Sequence, residues 1–311
     1  MIDVIIPVYN SSSTLRRTLE SLVSQTCPDF NVIVVDDCST DDSISIAEQF
    51  LPLLNLSILR SNSCSGGPAT PRNIAVSYSK SDYICFLDSD DIFHPQKIEI
   101  VSSYLKSNTV DVLFHPVVIF RDSSFLYPNL FPKLFHTVHL PLFWQFLDCY
   151  QLLIIYNNFI YNSSLVISRS ILDSFPISQE PFLVSFEDYD LLLRLSYNKF
   201  IFSYLPFELT AYYINPKSIQ NPIRSIKSSV YFLKTTLSIT FYPLLSYILL
   251  SSKYTLFLNN ISNITLKQFL RPLKYTLTII YLIVVLFALL PSFLFLNLFS
   301  SRRSGIKVLS Q

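Results

Sequence analysis

Short apolar runs alternate with amphipathic stretches along the first part of the chain. The runs are the length of buried strands, and the stretches between them carry apolar residues at helical spacing. The predicted strands are Val4–Ile6, Val32–Val35, Leu56–Leu59, Tyr83–Leu87 and Val110–Phe114. The predicted helices lie around Leu15–Leu22, Ile44–Glu48, Arg72–Val76 and Pro95–Leu105. This alternation predicts an α/β fold, with a mostly parallel sheet flanked by helices and right-handed crossovers.

The pattern is less regular beyond the fifth predicted strand. Residues 125–161 are rich in aromatic residues and proline, and we expect loops and short helices there that frame a second ligand site. Periodicity then returns, with strands at Ser164–Ser168, Phe200–Tyr204 and Leu209–Tyr213 and a helix at Glu187–Ser196. We therefore place the end of the α/β domain near residue 222.

The chain is strongly apolar from about Ile223 onward. Residues 235–252 and 276–299 carry no charge, and the second run is long enough to span a bilayer. Basic residues flank it on both sides, so charge does not fix an orientation. We predict a helical, membrane-associating region over 223–311, with its membrane segment at 276–299. A buried core helix of a larger domain is the alternative.

Composition narrows the possible functions. The formal net charge of +1 argues against general nucleic-acid binding. The five cysteines form no C-x-x-C pair, so neither a zinc site nor a disulfide framework is expected, and a reducing compartment fits better. The N-terminal residues Met1–Val4 are predicted to be the first strand and not a signal peptide.

Acidic side chains gather where two predicted strands end. Asp36 and Asp37 close the second strand, and Asp88, Asp90 and Asp91 follow the fourth. Open α/β sheets bind ligands at the carboxyl ends of their strands, and crowded carboxylates need a counter-charge. We expect a divalent cation, Mn²⁺ or Mg²⁺, to supply this counter-charge. The chain contains no glycine-rich phosphate motif of the G-x-x-x-x-G-K or G-x-G-x-x-G type.

Five segments together resemble the family-2 inverting glycosyltransferases of the GT-A fold. The resemblance extends from Ile2 to Tyr213. It implies a Rossmann-like nucleotide-sugar half over 1–116, an acceptor half over 117–222, and a metal-dependent, inverting sugar transfer from a nucleotide-diphospho-sugar. The segments are Ile5–Asn10, Val34–Asp41, Gly66–Asn73, Phe86–Asp91 and Phe186–Leu191.

The resemblance assigns donor-binding roles residue by residue. Asp37 would accept the imide N–H of uracil, so a UDP-linked donor is expected. Pro7 and Tyr9 would wall the nucleotide pocket. Asp88 would hold the ribose or a metal-bound water, and Asp90 would bind the cation. The plain alternative for the Asp36–Asp37 pair is that both aspartates stabilise a turn.

The catalytic assignments concern the late helix and the residues around the acidic motif. By the resemblance, Asp188 is the general base that removes the proton of the acceptor hydroxyl. Glu187 would orient it or contact the acceptor, although acids are common in any first helical turn. Asp36 and Asp91 would support the site, with Asp91 as a helix cap as the alternative. Arg72 would bind phosphate or pair with the acidic loops.

The segment Tyr212–Ile219 resembles the flexible loop that folds over the donor in this family. Many relatives carry histidine where this chain has Asn215, and asparagine does not titrate. Any contact there with metal or phosphate would therefore be weaker or different.

These assignments imply a hexosyltransferase in surface polysaccharide or lipid-linked glycan synthesis. The expected partners are the nucleotide-sugar donor, a saccharide or lipid-linked acceptor and the membrane, with no nucleic acid. The expected location is the cytoplasmic face of the membrane. Two alternatives remain: a polyprenyl-phosphate sugar synthase, and a catalytically inactive, membrane-tethered scaffold.

Overall fold

The computed structural model describes residues 1–120, 148–156, 158–214 and 307–308. The strands in chain order are β1 (Ile2–Val8), β2 (Phe30–Asp36), β3 (Leu56–Arg60), β4 (Tyr83–Phe86), β5 (Ile92–Phe93), β6 (Val112–Phe114), β7 (Val117–Phe120), β8 (Val166–Ser168), β9 (Phe202–Tyr204), β10 (Thr210–Tyr213) and β11 (Lys307–Val308). The α-helices are α1 (Leu15–Val23), α2 (Ser43–Glu48), α3 (Ala69–Tyr78), α4 (Lys97–Ser107), α5 (Cys149–Tyr156), α6 (Arg169–Ser174) and α7 (Glu187–Tyr197).

The central sheet is mostly parallel, as the alternating pattern predicts. Its strand order is β11-β9-β6-β8-β4-β1-β2-β3. Strands β4, β1, β2 and β3 run parallel to one another, and β8 runs antiparallel to both of its neighbours. Every residue of β1 is buried, which agrees with its unbroken apolar sequence in the middle of the sheet. The parallel strands end at one common edge, here called the carboxyl edge.

A second, three-stranded sheet was not predicted. Its order is β5-β10-β7, with β10 antiparallel to β5 and parallel to β7. Strand β5 has only two residues, which is too short for a periodic signal. Its position directly after residues Asp88–Asp91, here called the acidic segment, nevertheless matters, because β5 joins that segment to β10.

Helix α1 packs on the core through Leu15, Leu19 and Leu22, each at most 1% exposed. Helix α1 begins at Leu15 as predicted, after an N-cap at Thr14 that makes no side-chain cap bond. One predicted helix start is wrong. Helix α4 begins at Lys97 and not at Pro95, because the carbonyl of Pro95 is used by the backbone N–H of Thr26 (2.9 Å).

The described residues outside Tyr150–Tyr156 belong to one compact unit, and Tyr150–Tyr156 belongs to a second. The described part of the chain contains no helix long and apolar enough to cross a membrane. The two uncharged runs, 235–252 and 276–299, lie outside the described residues, as do Asn215 and most of 125–161. The division at residue 222 stays a prediction.

Candidate active site

The carboxyl edge gathers the loops that follow β1, β2 and β4. The backbone N–H of Asp37 donates to the carbonyl of Val8 (2.8 Å), which fixes the end of β2 beside the end of β1. Pro7 lies within β1 opposite Val35, so it does not end the strand. Tyr9, just beyond the strand, is 61% exposed. An exposed aromatic ring of this kind can stack on a flat ligand.

Asp37 is almost fully buried, and one residue binds its carboxylate. The backbone N–H of Ser65 donates to both oxygens (3.1 Å each), and its hydroxyl donates to Oδ2 (2.7 Å). The carboxylate is therefore held in one orientation by the loop that precedes α3. Asp36 differs, since its Oδ1 accepts from the backbone N–H of Ser39 (3.1 Å) and so stabilises the turn after β2.

The same two loops are joined covalently. Cys38 and Cys64 form a disulfide, with 5.4 Å between their Cα atoms. The expectation from cysteine spacing was therefore wrong for this pair. The reason is that the fold, and not the sequence separation of 26, brings the loop after β2 against the loop before α3. Cys27, Cys85 and Cys149 are free thiols.

Asp88 occupies the junction of several elements. Its Oδ1 accepts from Arg72 Nη2 (2.6 Å) and from Asn162 Nδ2 (3.1 Å). Its backbone N–H donates to the hydroxyl of Ser163 (3.0 Å). These contacts fix the first acid of the motif relative to α3 and to the turn before β8.

Asp91 is completely buried but only partly satisfied. Its Oδ1 accepts from the backbone N–H of Tyr213 (2.8 Å), which ties it to the end of β10. Its Oδ2 has no hydrogen-bond partner among the described residues. Burial, followed by the nearby charges of Asp88 and Asp90, raises the pKa of Asp91 well above its usual range. The helix-cap alternative for Asp91 is wrong, because the carboxylate bonds to β10 and not to the start of α4.

The chemistry of the acidic segment fits a divalent cation. Burial, together with the charge of Asp88, raises the pKa of Asp90 to about 6, and Arg17 opposes this shift. A cation would relieve both this repulsion and the unsatisfied oxygen of Asp91. Within the described ranges, no three histidine, cysteine or acidic side chains form a ready metal cluster. Mg²⁺ typically binds through one or two carboxylates plus substrate phosphates, so a closed cluster is not required.

Arg72 joins the acidic segment to the start of α7. Its guanidinium donates through Nη2 to Asp88 (2.6 Å) and through Nη1 to Glu187 Oε1 (2.9 Å), and its side chain is only 4% exposed. Burial alone would lower the pKa of Arg72, but these two carboxylates outweigh it and hold the pKa above its usual value. Of the two sequence-based interpretations of Arg72, the ion pair is the one that the geometry shows.

Asp188 follows Glu187 in the first turn of α7. Its side chain is partly buried. This burial, together with the charge of Glu187, raises the pKa of Asp188 to about 7, against the opposing effect of Arg72. The amide of Asn158 donates to Asp188 Oδ2 (3.0 Å). A carboxylate with a pKa near neutrality is suited to accept a proton from a hydroxyl.

The backbone near the site adopts uncommon conformations. Asn10, Cys38 and Ser185 have positive φ angles of 47°, 67° and 75°. They lie in the turns after β1 and β2 and just before α7, and such conformations concentrate at functional sites. Gly67 allows a close approach, since a Cβ there would lie 3.1 Å from Val184. The loop before α3 therefore rests directly against the segment that leads into α7.

The structure brings most of the predicted site residues to one edge, although their roles stay predictions. Pro7, Tyr9 and Asp37 lie on the β1–β2 side, and the acidic segment is connected to Glu187 and Asp188 through Arg72. Four contacting residues escaped the sequence analysis. A polar triplet before β8 could have indicated two of them, but no sequence signal points to the others. These four are Ser65, Asn158, Asn162 and Ser163.

Comparisons with known proteins agree with this arrangement. A family model described as glycosyl transferase family 2 matches residues 3–166, which is just over half of the chain. The poly(ribitol-phosphate) beta-N-acetylglucosaminyltransferase TarS of Staphylococcus aureus is 38% identical over 112 residues, which are 35% of this chain and 20% of that protein. A poly(ribitol-phosphate) beta-glucosyltransferase of Bacillus spizizenii is 40% identical over 114 residues, 36% of this chain and 18% of the relative. The matched segment thus spans about a fifth of each relative.

Solved structures share the fold. A crystal structure of S. aureus TarS 1-349 in complex with UDP superposes with a TM-score of 0.55 at 24% identity, covering 75% of this chain and 65% of that one. A Pyrobaculum calidifontis mannosyltransferase in complex with GDP-Man and Mn²⁺ gives a TM-score of 0.51 at 14% identity, covering 90% of this chain and 86% of that one. At these identities the likeness concerns the fold alone.

Proposed function

The chain belongs to glycosyl transferase family 2, and from this premise we propose that it transfers a sugar from a nucleotide-diphospho-sugar to an acceptor hydroxyl with inversion. A UDP-linked donor is the expected substrate. The acceptor we propose is a surface polysaccharide or a lipid-linked glycan. Two relatives that act on poly(ribitol-phosphate) support a polymeric acceptor.

One observation carries the proposal. Arg72 binds Asp88 on the donor side and Glu187 on the acceptor side, so that Asp188 lies next to the same ion-pair network. A donor held at the acidic segment would therefore present its anomeric carbon near a carboxylate that can accept a proton. Two acids with different environments are the usual arrangement for a site with separate binding and base functions.

The proposed reaction divides its tasks among named side chains. Asp37, oriented by Ser65, would accept the N–H of the base, and Tyr9 would stack on it. Asp90 would hold the divalent cation, with Asp88 at the ribose or at a metal-bound water. A bound Mn²⁺ or Mg²⁺ would place positive charge on the diphosphate and so stabilise it as a leaving group.

Asp188 supplies the base. The acceptor oxygen attacks the anomeric carbon from the face opposite the diphosphate and loses its proton to an Asp188 oxygen. The bond between the anomeric carbon and the diphosphate oxygen breaks as the new glycosidic bond forms, which inverts the configuration. The raised pKa of Asp188 favours this transfer because its carboxylate is a stronger base than an ordinary aspartate.

The sequence of the C-terminal region also supports a proposal about where the protein is located in the cell. The uncharged run 276–299 and the basic residues around it support a membrane-associating segment. Such a segment would hold the catalytic unit at the cytoplasmic face, near lipid-linked acceptors. Fractionation of cells that express the chain with and without residues 276–299 tests this point.

The central test is the Asp188→Asn variant of the full chain. We first screen nucleotide sugars for Mn²⁺-dependent release of nucleoside diphosphate, and then measure transfer with the active donor. Loss of the base should lower turnover by about 100- to 10,000-fold. Binding of UDP should stay within a factor of about 2, because Asp188 is not placed at the nucleotide.

The matched control is Asp190→Asn on the same helix. Asp190 pairs with Arg194 (2.8 Å) on another face of α7, so turnover should be unchanged. Full turnover in Asp188→Asn, or an equal loss in both variants, contradicts the assignment of the base. Absence of any donor hydrolysis or transfer by the wild type favours the scaffold alternative.

A further inference from the structure

We propose that Arg17 is a positioning residue that fixes the acidic segment relative to the end of β10. It would thereby set where Asp90 and Asp91 present their oxygens to a cation and a donor diphosphate. This inference rests on the proposed function. Nothing in the sequence pattern singles out Arg17, which lies on helix α1 between two leucines of the core face.

Arg17 takes part in a closed circuit of contacts. Its Nη2 donates to the backbone carbonyl of Asp90 (3.1 Å), and its Cζ lies 4.2 Å from the centroid of the Tyr213 ring. The backbone N–H of Tyr213 in turn donates to Asp91 Oδ1 (2.8 Å). The guanidinium therefore touches the acidic segment and β10 at once, and the hydrogen bond from Tyr213 closes the circuit.

Thr18, the residue after Arg17, also holds the acidic segment. The hydroxyl of Thr18 donates to the carbonyl of Ser89 (3.1 Å), so α1 holds two consecutive carbonyls of the acidic segment. The Ser89 hydroxyl also shares a hydrogen bond with the hydroxyl of Ser11 (2.7 Å). Two side chains of α1 thus hold the backbone that carries Asp90, and Ser11 holds the neighbouring Ser89 side chain.

The geometry requires arginine and not merely a positive charge. The planar guanidinium lies over Tyr213, and its Cζ is 5.4 Å from the centroid of the Phe120 ring, while one N–H reaches a carbonyl. A lysine ammonium is a compact charge and cannot stack and donate in this fixed fork. Arg17 makes no ion pair with a carboxylate in the described part of the chain, although its charge opposes the rise in the pKa of Asp90. Carbonyl and ring contacts therefore hold the guanidinium in place.

A purely structural role would have a different consequence from a positioning role. If Arg17 only packed α1 against the rings, its loss would lower stability and leave the cation requirement unchanged. If it positions the acidic segment, its loss must raise the Mn²⁺ concentration needed to bind the donor. Residues that orient metal ligands typically change metal affinity by about 10- to 100-fold when they are replaced.

The experiment measures Mn²⁺ binding to the full-length protein in the presence of UDP, by electron paramagnetic resonance of the free ion. We expect Arg17→Met to raise the half-saturating Mn²⁺ concentration by about 10-fold or more, and Arg17→Lys to raise it by a smaller factor. Thr18→Val should shift it in the same direction. Arg16→Met is the matched control, because Arg16 lies on the exposed face of α1, bonds Gln49 and should change the value by less than about 2-fold.

The outcomes separate the two proposals. Wild-type Mn²⁺ dependence in both Arg17→Met and Arg17→Lys overturns the positioning role while leaving the proposed function intact. If Arg17→Met does not fold, Arg17→Lys and Thr18→Val decide, and wild-type values in both overturn it. Failure of the wild-type protein to bind Mn²⁺ with UDP contradicts the donor site itself. An equal shift in Arg16→Met also overturns the inference.

Discussion

Two buried aspartates, one within β1 and the other between β4 and β5, have different surroundings. Asp3, 2% exposed, lies near the start of β1. Its Oδ1 accepts from Asn31 Nδ2 (2.7 Å) and the Ser81 hydroxyl (2.6 Å), and its Oδ2 accepts from the Ser79 hydroxyl (2.5 Å). Asp91, at the carboxyl edge, is equally buried, but one oxygen lacks a hydrogen-bond partner among the described residues.

The contrast separates a structural carboxylate from a functional one. Both cost free energy to bury, but donors from β2 and from the loop after α3 compensate Asp3, whereas one oxygen of Asp91 has no hydrogen-bond partner among the described residues. Cavity volume does not make this distinction. A cavity of about 600 Å³ lies at the opposite edge of the sheet, where the parallel strands begin, beside Met1 and Tyr83. This edge is here called the amino edge. The Asp82 carboxylate in its lining is already paired with the N-terminal ammonium (3.2 Å). An unsatisfied buried carboxyl oxygen, and not empty space, identifies the site.

The largest expected effect comes from removing the Arg72 guanidinium, which pairs with two carboxylates. Arg72→Met leaves Asp88 and Glu187 without their common partner, and breaking a buried pair costs about 3–5 kcal/mol. Transfer should be lost as well, because Glu187 precedes the proposed base. Urea denaturation and turnover of the same preparation measure both effects.

An exposed pair at the amino edge provides the comparison for Arg72. Asp173→Asn removes the partner of Arg169, and both side chains there are more than a third exposed. Its effect should be at most about 0.5 kcal/mol. A loss of stability in Arg72→Met no greater than in Asp173→Asn would show that the network at the carboxyl edge is not a buried ion pair.

A smaller effect should separate the two buried aspartates. In Asp3→Asn, one carboxylate oxygen becomes an amide NH2 that cannot accept a hydrogen bond, so either the Ser79 or the Ser81 hydroxyl loses its acceptor. The free energy of unfolding should fall by about 1–3 kcal/mol. Binding of UDP with Mn²⁺ should remain at the wild-type level at temperatures where the variant is folded. Asp91→Asn should show the reverse, with weakened Mn²⁺-dependent binding and little loss of stability.

The pH dependence of stability provides a second test of the difference between Asp3 and Asp91. Because the pKa of Asp91 is raised in the folded state, the folded protein holds that proton more tightly than the unfolded chain does. Wild-type stability should therefore fall relative to Asp91→Asn as the pH rises above the unfolded pKa of about 4. Thermal unfolding at pH 4, 6 and 8 without metal checks the sign. If wild-type stability instead rises relative to Asp91→Asn as the pH rises, the assignment is contradicted.

The central sheet was predictable from sequence because its information is local. Each parallel strand is largely an apolar run, and helix α1 between the first two carries leucines at helical spacing. The second sheet was not predictable, since a two-residue strand carries no period.

The same limit applies to the site. Carboxylates after strands can be located in a sequence, whereas their partners Asn158 and Asn162 arrive from distant segments. The Cys38–Cys64 bond was missed for this reason too.

Asp188 is a third case beside Asp3 and Asp91, because its carboxylate is partly satisfied and strongly basic. Its pKa of about 7 predicts that kcat/KM falls as the pH drops below neutrality, where the base becomes protonated. The amide of Asn158 donates to the carboxylate and so favours its charged form. Asn158→Ala should therefore move the acidic limb to higher pH by about half a unit, while the rate at high pH changes little. Asp190→Asn serves as the control and should leave the limb in place. A limb that stays at its wild-type position or moves to lower pH in Asn158→Ala would mean that Asn158 does not tune the base.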